Sequence, residues 1–350
     1  MMVEEGHPNA SELLCSASNA LGSLLAYVFP VIGTLDFINN SIVVVAFLYS
    51  LRRNNRQFFF FGILALSDIG IVITTGWLWL FPTFGLPYAS SGSVYYLVMA
   101  RSTVSCKLST FSQSFCYILR GNVLLMMTID RFILIYKPLL YKRLPEYSTR
   151  MLLVIVVTIT LLMSLPIVIY TDIVLAFQLS VCWYANHGEV LILYQSLFSN
   201  TCLVQFSFVM LLDVFFLVKM IKWSRSRNQA AGLHSSEIRN ISPTITLLLL
   251  HTLSLIFALP CSISLFITNT IDGNNVDIPV KLIRFLLLSV NIGWILIFLQ
   301  SSLNIILYSV RIKRFRQVLL GGLKCCRINI TGVSEIPTPN SVTNSVQKKT

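Results

Sequence analysis

Seven apolar stretches, at approximately 24–49, 59–81, 106–136, 151–171, 190–218, 243–267 and 282–309, set the strongest limit on what this chain can fold into. Each reaches the roughly 20 residues that a helix needs to cross a hydrocarbon layer. With 55% hydrophobic and only 11% charged residues, the chain lacks the charge that separates such runs in a soluble domain. The third stretch is the most polar, carrying Ser, Thr and Gln through its first half. Such a stripe is tolerated where neighbouring helices enclose it and keep it from lipid. The expected fold is all-α, a seven-transmembrane helix bundle.

Charge sets the orientation. Segments 50–58, 137–150, 219–242 and 310–350 carry 3, 4, 5 and 8 Lys or Arg, whereas segments 1–23, 82–105, 172–189 and 268–281 carry 0, 1, 0 and 1. The positive-inside rule puts the first set in the cytoplasm and the amino terminus outside, as an odd number of spans requires. The net charge of +12 does not point to nucleic acid, because the basic residues punctuate apolar segments and form no continuous basic face. A multi-pass plasma-membrane protein is the expectation.

Residues 1–23 form an extracellular tail with Glu4, Glu5 and Glu12 and no basic n-region, so the first helix is expected to act as the insertion signal. Asn9-Ala10-Ser11 is a glycosylation sequon in that tail. Residues 24–309 form the membrane domain. Pro82 and Pro87 bracket the turn out of the second helix, Pro166 bends the fourth and Pro260 kinks the sixth. The fifth helix is long, and Lys219, Lys222, Arg225 and Arg227 extend it into the cytosol. Residues 310–327 read as an amphipathic helix on the inner membrane face, with Phe315, Val318, Leu319 and Leu320 among basic residues. Cys325 and Cys326, beside Lys324 and Arg327, are either palmitoylated or free thiols. Residues 328–350 are polar, rich in Ser and Thr, and expected to be a disordered cytoplasmic tail.

Several motifs fall at matched depths. Asp130-Arg131-Phe132 ends the third stretch and is followed by Pro138-Leu139; Cys106 opens the same stretch, and Cys182 is the only cysteine between the fourth and fifth. Asn40 lies in the first, Leu64-Ala65-Leu66-Ser67-Asp68 in the second, Pro260 in the sixth, and Ser301 with Asn304-Ile305-Ile306-Leu307-Tyr308 in the seventh. In this order and spacing the chain resembles the rhodopsin-like (class A) G-protein-coupled receptors, as a divergent member most like the neuropeptide receptors. The resemblance covers residues 24 to about 326.

The resemblance implies a Cys106–Cys182 disulfide and a G-protein contact built on Asp130, Arg131 and Phe132. Its partners would be a heterotrimeric G protein, an extracellular peptide or small-molecule ligand, membrane lipid, and a receptor kinase and arrestin at the tail. No cofactor, metal, nucleic acid or enzymatic activity is expected. This chain also departs from the family pattern. Ala258 stands where the family has a tryptophan two residues before Pro260, Ile305 replaces the helix 7 proline, and helix 5 has neither its proline nor its tyrosine. Asn240 stands where many relatives carry an acid that latches the Arg131 equivalent.

Asp68 and Arg120 fall well inside their helices, where an unpaired charge is costly. In the family the Asp68 equivalent binds sodium. A guanidinium at 120 competes with that ion and can form a bidentate link to the carboxylate near Ser301 and Asn304. The alternative is that Arg120 pairs with other polar groups. Asp36 and Asp213 are further intramembrane acids, ionised or protonated, to which the sequence assigns no partner. His251 reads as a packed helix residue.

The ligand pocket implied by the resemblance lies between the outer halves of helices 3, 5, 6 and 7. Gln113 occupies the place where amine receptors use an aspartate, and helix 7 has no interior lysine, so neither a monoamine nor a retinal Schiff base is expected. Ser109, Thr110, Gln113, Trp183 and Trp294 are the candidate ligand contacts, although the aromatics also serve as packing. Acidic Asp172, Glu189, Asp272 and Asp277 in the outer loops suit a basic neuropeptide. A chemosensory or lipid-like ligand is the second reading. A transporter or channel, and a receptor-like protein that no longer signals, are the rival classes.

Overall fold

The computed structural model describes residues 12–51, 56–137, 139, 141, 148–176, 179–184, 190, 193–200, 202–229, 235–273 and 280–321. Asn9, Cys325, Cys326 and the tail 328–350 lie outside the described residues. Seven long helical rods account for most of the rest. The first, α1, joins Glu12–Ser23, Leu24–Val28, Phe29–Val45 and Ala46–Ser50 without a break. The second, α2, joins Arg56–Ile71, Val72–Gly85 and Leu86–Ala89. Then come α3 (Thr103–Tyr136), α4 (Ser148–Tyr170), α5 (Leu203–Gln229), α6 (Ser235–Gly273) and α7 (Val280–Arg311).

Among the described residues six stretches are long and apolar enough to cross a membrane: Cys15–Ser50, Arg56–Ala89, Thr149–Tyr170, Leu197–Lys219, Thr246–Thr268 and Arg284–Arg311. At 34 residues α3 is long enough but too polar to join them. Its position explains why that polarity is tolerated. It packs on α2, α4 and α5 and touches α6, while α1 lies against α2 and α7, and α6 is closely joined to α7. Polarity is distributed inside out. Met151, Ile155, Ile159, Leu162, Leu165 and Ile169 form an exposed apolar stripe on α4 at helical spacing, while Asp36, Asn40, Asp68, Arg120 and Gln300 are buried. Water does not tolerate such a surface, and lipid requires it. Outward hydroxyls satisfy themselves: Thr34, Ser207 and Thr252 each donate to the carbonyl four residues back, at 2.6, 2.7 and 2.9 Å.

Several element boundaries differ from the sequence expectation. The first helix starts at Glu12, inside the expected tail. The second does not end at Pro82 and Pro87. Val72–Gly85 takes the wider π geometry, in which the missing Pro82 amide is accommodated, and Pro87 lies in the first turn of Leu86–Ala89, where no amide is needed. Helices α4 and α6 contain Pro166 and Pro260, as expected of prolines that bend a helix without ending it. The fifth apolar stretch is interrupted. A wide turn at Gln195–Asn200 leads to Cys202 in the left-handed region (φ 48°), and the helix resumes at Leu203. The fold is also not wholly helical, because Thr171–Ala176 (β1) and Leu179–Tyr184 (β2) pair antiparallel after α4.

Two features fix the rods against one another. Ser102 caps α3, its hydroxyl accepting the Ser105 amide at 3.1 Å. At the α6–α7 crossing, a side chain on Gly293 would put its Cβ 2.5 Å from Cys261 Cβ and 2.8 Å from the Cys261 backbone, so only glycine fits. Beyond α7, residues 313–321 are helical. Phe315 is buried there at 5.0 Å from the Phe47 ring, while Lys313, Arg314 and Arg316 are exposed.

Candidate functional site

The middle of the bundle is built around Arg120. Its Nε donates to Asp68 Oδ1 at 2.8 Å, and its Nη2 donates to Gln300 Oε1 at 2.9 Å and lies 3.4 Å from Ser254 Oγ. The guanidinium therefore links α3 to α2, α6 and α7. The contact to Asp68 uses one N–H and not a two-pronged fork, because the other arm is turned toward α6 and α7; Asp68 Oδ2 has no hydrogen-bond partner. Gln300 passes the network on by donating to Asn304 Oδ1 at 2.7 Å, and Asn40 donates to Ser301 Oγ at 2.9 Å and to Asp36 Oδ1 at 2.6 Å. Asn40, Asp68, Arg120, Ser301 and Asn304 are thus brought together. Gln300 and Ser254 were not anticipated. A glutamine one turn before Asn304, on the same helix face, was the available signal.

At one end of the bundle, Cys106 and Cys182 are bonded, with Cα atoms 5.5 Å apart, tying β2 to α3. Thr110, expected to face a ligand, is buried beneath this bond. Its hydroxyl donates to the Cys106 carbonyl at 2.8 Å and lies 3.4 Å from Cys182 Sγ. Ser109 is half-buried on α3, and Gln113 donates to Thr75 Oγ1 at 3.1 Å. Trp294 is 1% exposed, its ring 5.1 Å from Tyr117 and 6.5 Å from Trp79, with Nε1 unpartnered. Trp183 pairs with Asp172 in the hairpin, and its side chain lies outside the described part of the molecule. The Ile173 amide, then Thr103 and Lys107, hold the Asp172 carboxyl below the usual carboxylate range. Where the family tryptophan is missing, Ala258 borders a cavity of about 10 Å³ shared with Tyr117, Arg120, Cys202, Phe206 and Ile297.

At the other end, Asp130 lies 3.4 Å from Arg56 Nη1 and 3.7 Å from Arg131 Nη2, and accepts a hydrogen bond from Tyr141 at 3.3 Å. Burial, with Asp130 alongside, raises the Tyr141 hydroxyl above its usual range. Arg131 is 5% exposed, and its Nε has no acceptor. It lines a small cavity with Thr128, Phe132, Asp213, Phe216 and Leu247, where α3, α5 and α6 meet. Phe132 stacks on Tyr136 at 4.3 Å. Asn240 lies on α6, its side chain outside the described part. Between α5 and α6, the described residues include a hydrogen bond of 2.9 Å between His251 Nδ1 and Asp213 Oδ2. This pair went unrecognised because the two residues are far apart in sequence and only the helix rotations bring them together. Tyr308 is buried among Phe47, Phe61 and Phe315, its ring 5.3, 5.0 and 6.0 Å from theirs. Pro260 faces outward. Among the described residues no cluster of His, Cys, Asp or Glu is suited to a metal ion.

In comparison with curated proteins, none matches the chain. Residues 39–308, most of its length, match the sequence model of the 7 transmembrane receptor (rhodopsin family). This range contains the Asp68–Arg120 centre, the disulfide and the Asp130-Arg131 end. The protein is a member of the rhodopsin family of seven-transmembrane receptors, a receptor class and not an enzyme.

Proposed function

We propose that the chain spans the plasma membrane seven times, with α3 as the enclosed polar span, and couples an extracellular ligand to a heterotrimeric G protein. The amino terminus and the disulfide end face outward, and residues 313–321 lie on the inner leaflet. The observation that carries the reading is Arg131, a buried guanidinium with an unused N–H, stored at the junction of three helices that must separate to release it. Ligand binding favours a conformation in which α6 moves away from α3 and Arg131 meets the G protein.

A peptide is the preferred ligand. The ribbon Thr171–Tyr184 has no third strand among the described residues, so its edges carry backbone groups suited to an extended chain. Asp172 contributes to the acidic outer surface that suits a basic peptide, and Gln113 and Trp294 lie deeper. An uncharged chemosensory or lipid-like ligand is the second reading, favoured by the aromatic pair of Trp294 and Tyr117. Arg120 replaces the sodium ion beside Asp68. Glycosylation at Asn9, palmitoylation at Cys325 and Cys326, and recruitment of a receptor kinase and arrestin to the tail complete the proposal.

The decisive experiment is nucleotide exchange in membranes containing the receptor, challenged with peptide, amine and lipid pools. Arg131→Ala should reduce agonist-driven exchange to background while agonist still binds. Full exchange in that variant, or solute flux without exchange, would overturn the reading. A second expectation concerns the His251–Asp213 link, which opposes separation of α5 and α6. Asp213→Asn should raise ligand-independent exchange about 5-fold or more, the scale of a typical coupling energy. Unchanged basal exchange at equal surface expression would remove the pair from the switch.

A further inference from the structure

Four aspartates are buried among the described residues: Asp36, Asp68, Asp130 and Asp213. Three have a basic side chain within reach, Arg120 beside Asp68, Arg56 beside Asp130 and the His251 ring 2.9 Å from Asp213. Asp36 has none among the described residues, and it is the most enclosed of the four, at 0% exposed.

Its surroundings do not supply the missing charge. Asn40, on the same helix, donates to Asp36 Oδ1, while Oδ2 has no partner. The groups of other helices that act on Asp36 are the Asp68 carboxylate of α2, Arg120 of α3 and the Ser301 hydroxyl of α7, the last joined to Asp36 through Asn40, which donates to both. The Tyr308 hydroxyl of α7 lies in the same electrostatic neighbourhood as Asp68 and Arg120, and α6 contributes the Ser254 hydroxyl near Arg120. The N–H groups of Arg120 are directed to Asp68, Gln300 and Ser254. One guanidinium thus stands among two carboxylates, and Ser301, beside both, has a single hydrogen to donate.

An ionised Asp36 would be an uncompensated charge in the bundle interior, next to a second carboxylate. A neutral acid removes both costs. It also converts an unpartnered oxygen into a donor, within a cluster where Asp68 Oδ2 is an acceptor without a donor. We propose that Asp36 is a proton-binding site, holding one proton as a neutral carboxylic acid that donates a hydrogen bond within the Asp36–Asp68–Ser301 cluster. The core then carries one negative charge on Asp68, one positive charge on Arg120 and no net charge. The inference is independent of the ligand and of G-protein coupling.

Infrared spectroscopy of the full chain in lipid nanodiscs at neutral pH tests it directly, using aspartate labelled with ¹³C at the side-chain carboxyl. The parent protein should show a carboxylic-acid C=O band that shifts with the label, and Asp36→Asn should abolish it. The thermal midpoint of Asp36→Asn should match that of the parent, because an amide mimics the neutral acid, and exchanging choline for sodium should alter neither. A parent protein without a label-sensitive acid band overturns the proposal, as does a band that survives Asp36→Asn. Sodium-dependent stability that is lost in Asp36→Asn also overturns it, because a bound metal cation would then supply the charge. If Asp36→Asn fails to fold, Asp36→Glu decides: the acid band should lose its sensitivity to aspartate label, and a retained shift would count against Asp36.

Discussion

Replacing Arg120 with alanine is expected to destabilise the fold by about 3–5 kcal/mol, the typical cost of leaving one member of a buried ion pair without the other. The expectation follows from the number of helices that depend on this side chain. Asp68 loses the N–H donated to Oδ1, although its Oδ2 is already without a partner, and Gln300 loses the donor that orients it toward Asn304. The pair Asp68→Leu with Arg120→Met should recover most of the loss, because removing both charges removes the desolvation penalty with the attraction. Thermal midpoints of the two single variants and the double variant measure the coupling. If Arg120→Ala alone melts with the parent protein, the guanidinium does not hold these helices together.

Cys106→Ser is expected to have the next largest effect, about 2–5 kcal/mol. The bond closes a loop of 76 residues in sequence separation, and it tethers β2 to the capped start of α3. Thr110 packs directly beneath it, so its loss also loosens the first turns of that helix. Cys182→Ser should reproduce the loss, and the double variant should add nothing to either single one, because all three remove the same bond. Surface expression and thermal midpoint, each with and without reductant, read this out. Additive losses would show that the two cysteines act separately.

The architecture was legible where local chemistry determines it. The long apolar runs reveal helices because a membrane allows few other solutions, and the polar run of α3 revealed its enclosure because lipid would not accept it. Asp68 and Arg120 were readable for a related reason: two opposite charges at one depth call for each other. What sequence spacing could not supply was the rotation of each helix about its axis. That rotation brings His251 to Asp213, turns Arg120 toward Gln300 and Ser254, and sets Thr110 under the disulfide. Pro82 misled as a helix end because a wider turn absorbs its missing amide. The hairpin was hidden because a short ribbon held by a disulfide needs little apolar alternation of its own.

The seam between α6 and α7 has a mechanical consequence. Gly293 lets the backbone of one helix sit against Cys261 of the other, with no side chain between them to act as a bearing surface. Such close packing resists sliding, so the two helices are expected to move together as a single plate. A plate pivots about its edges. The give in this receptor therefore belongs at the lighter contacts of α6 with α3 and α5, and any tilt of α6 carries the Gln300 end of the polar network along with it.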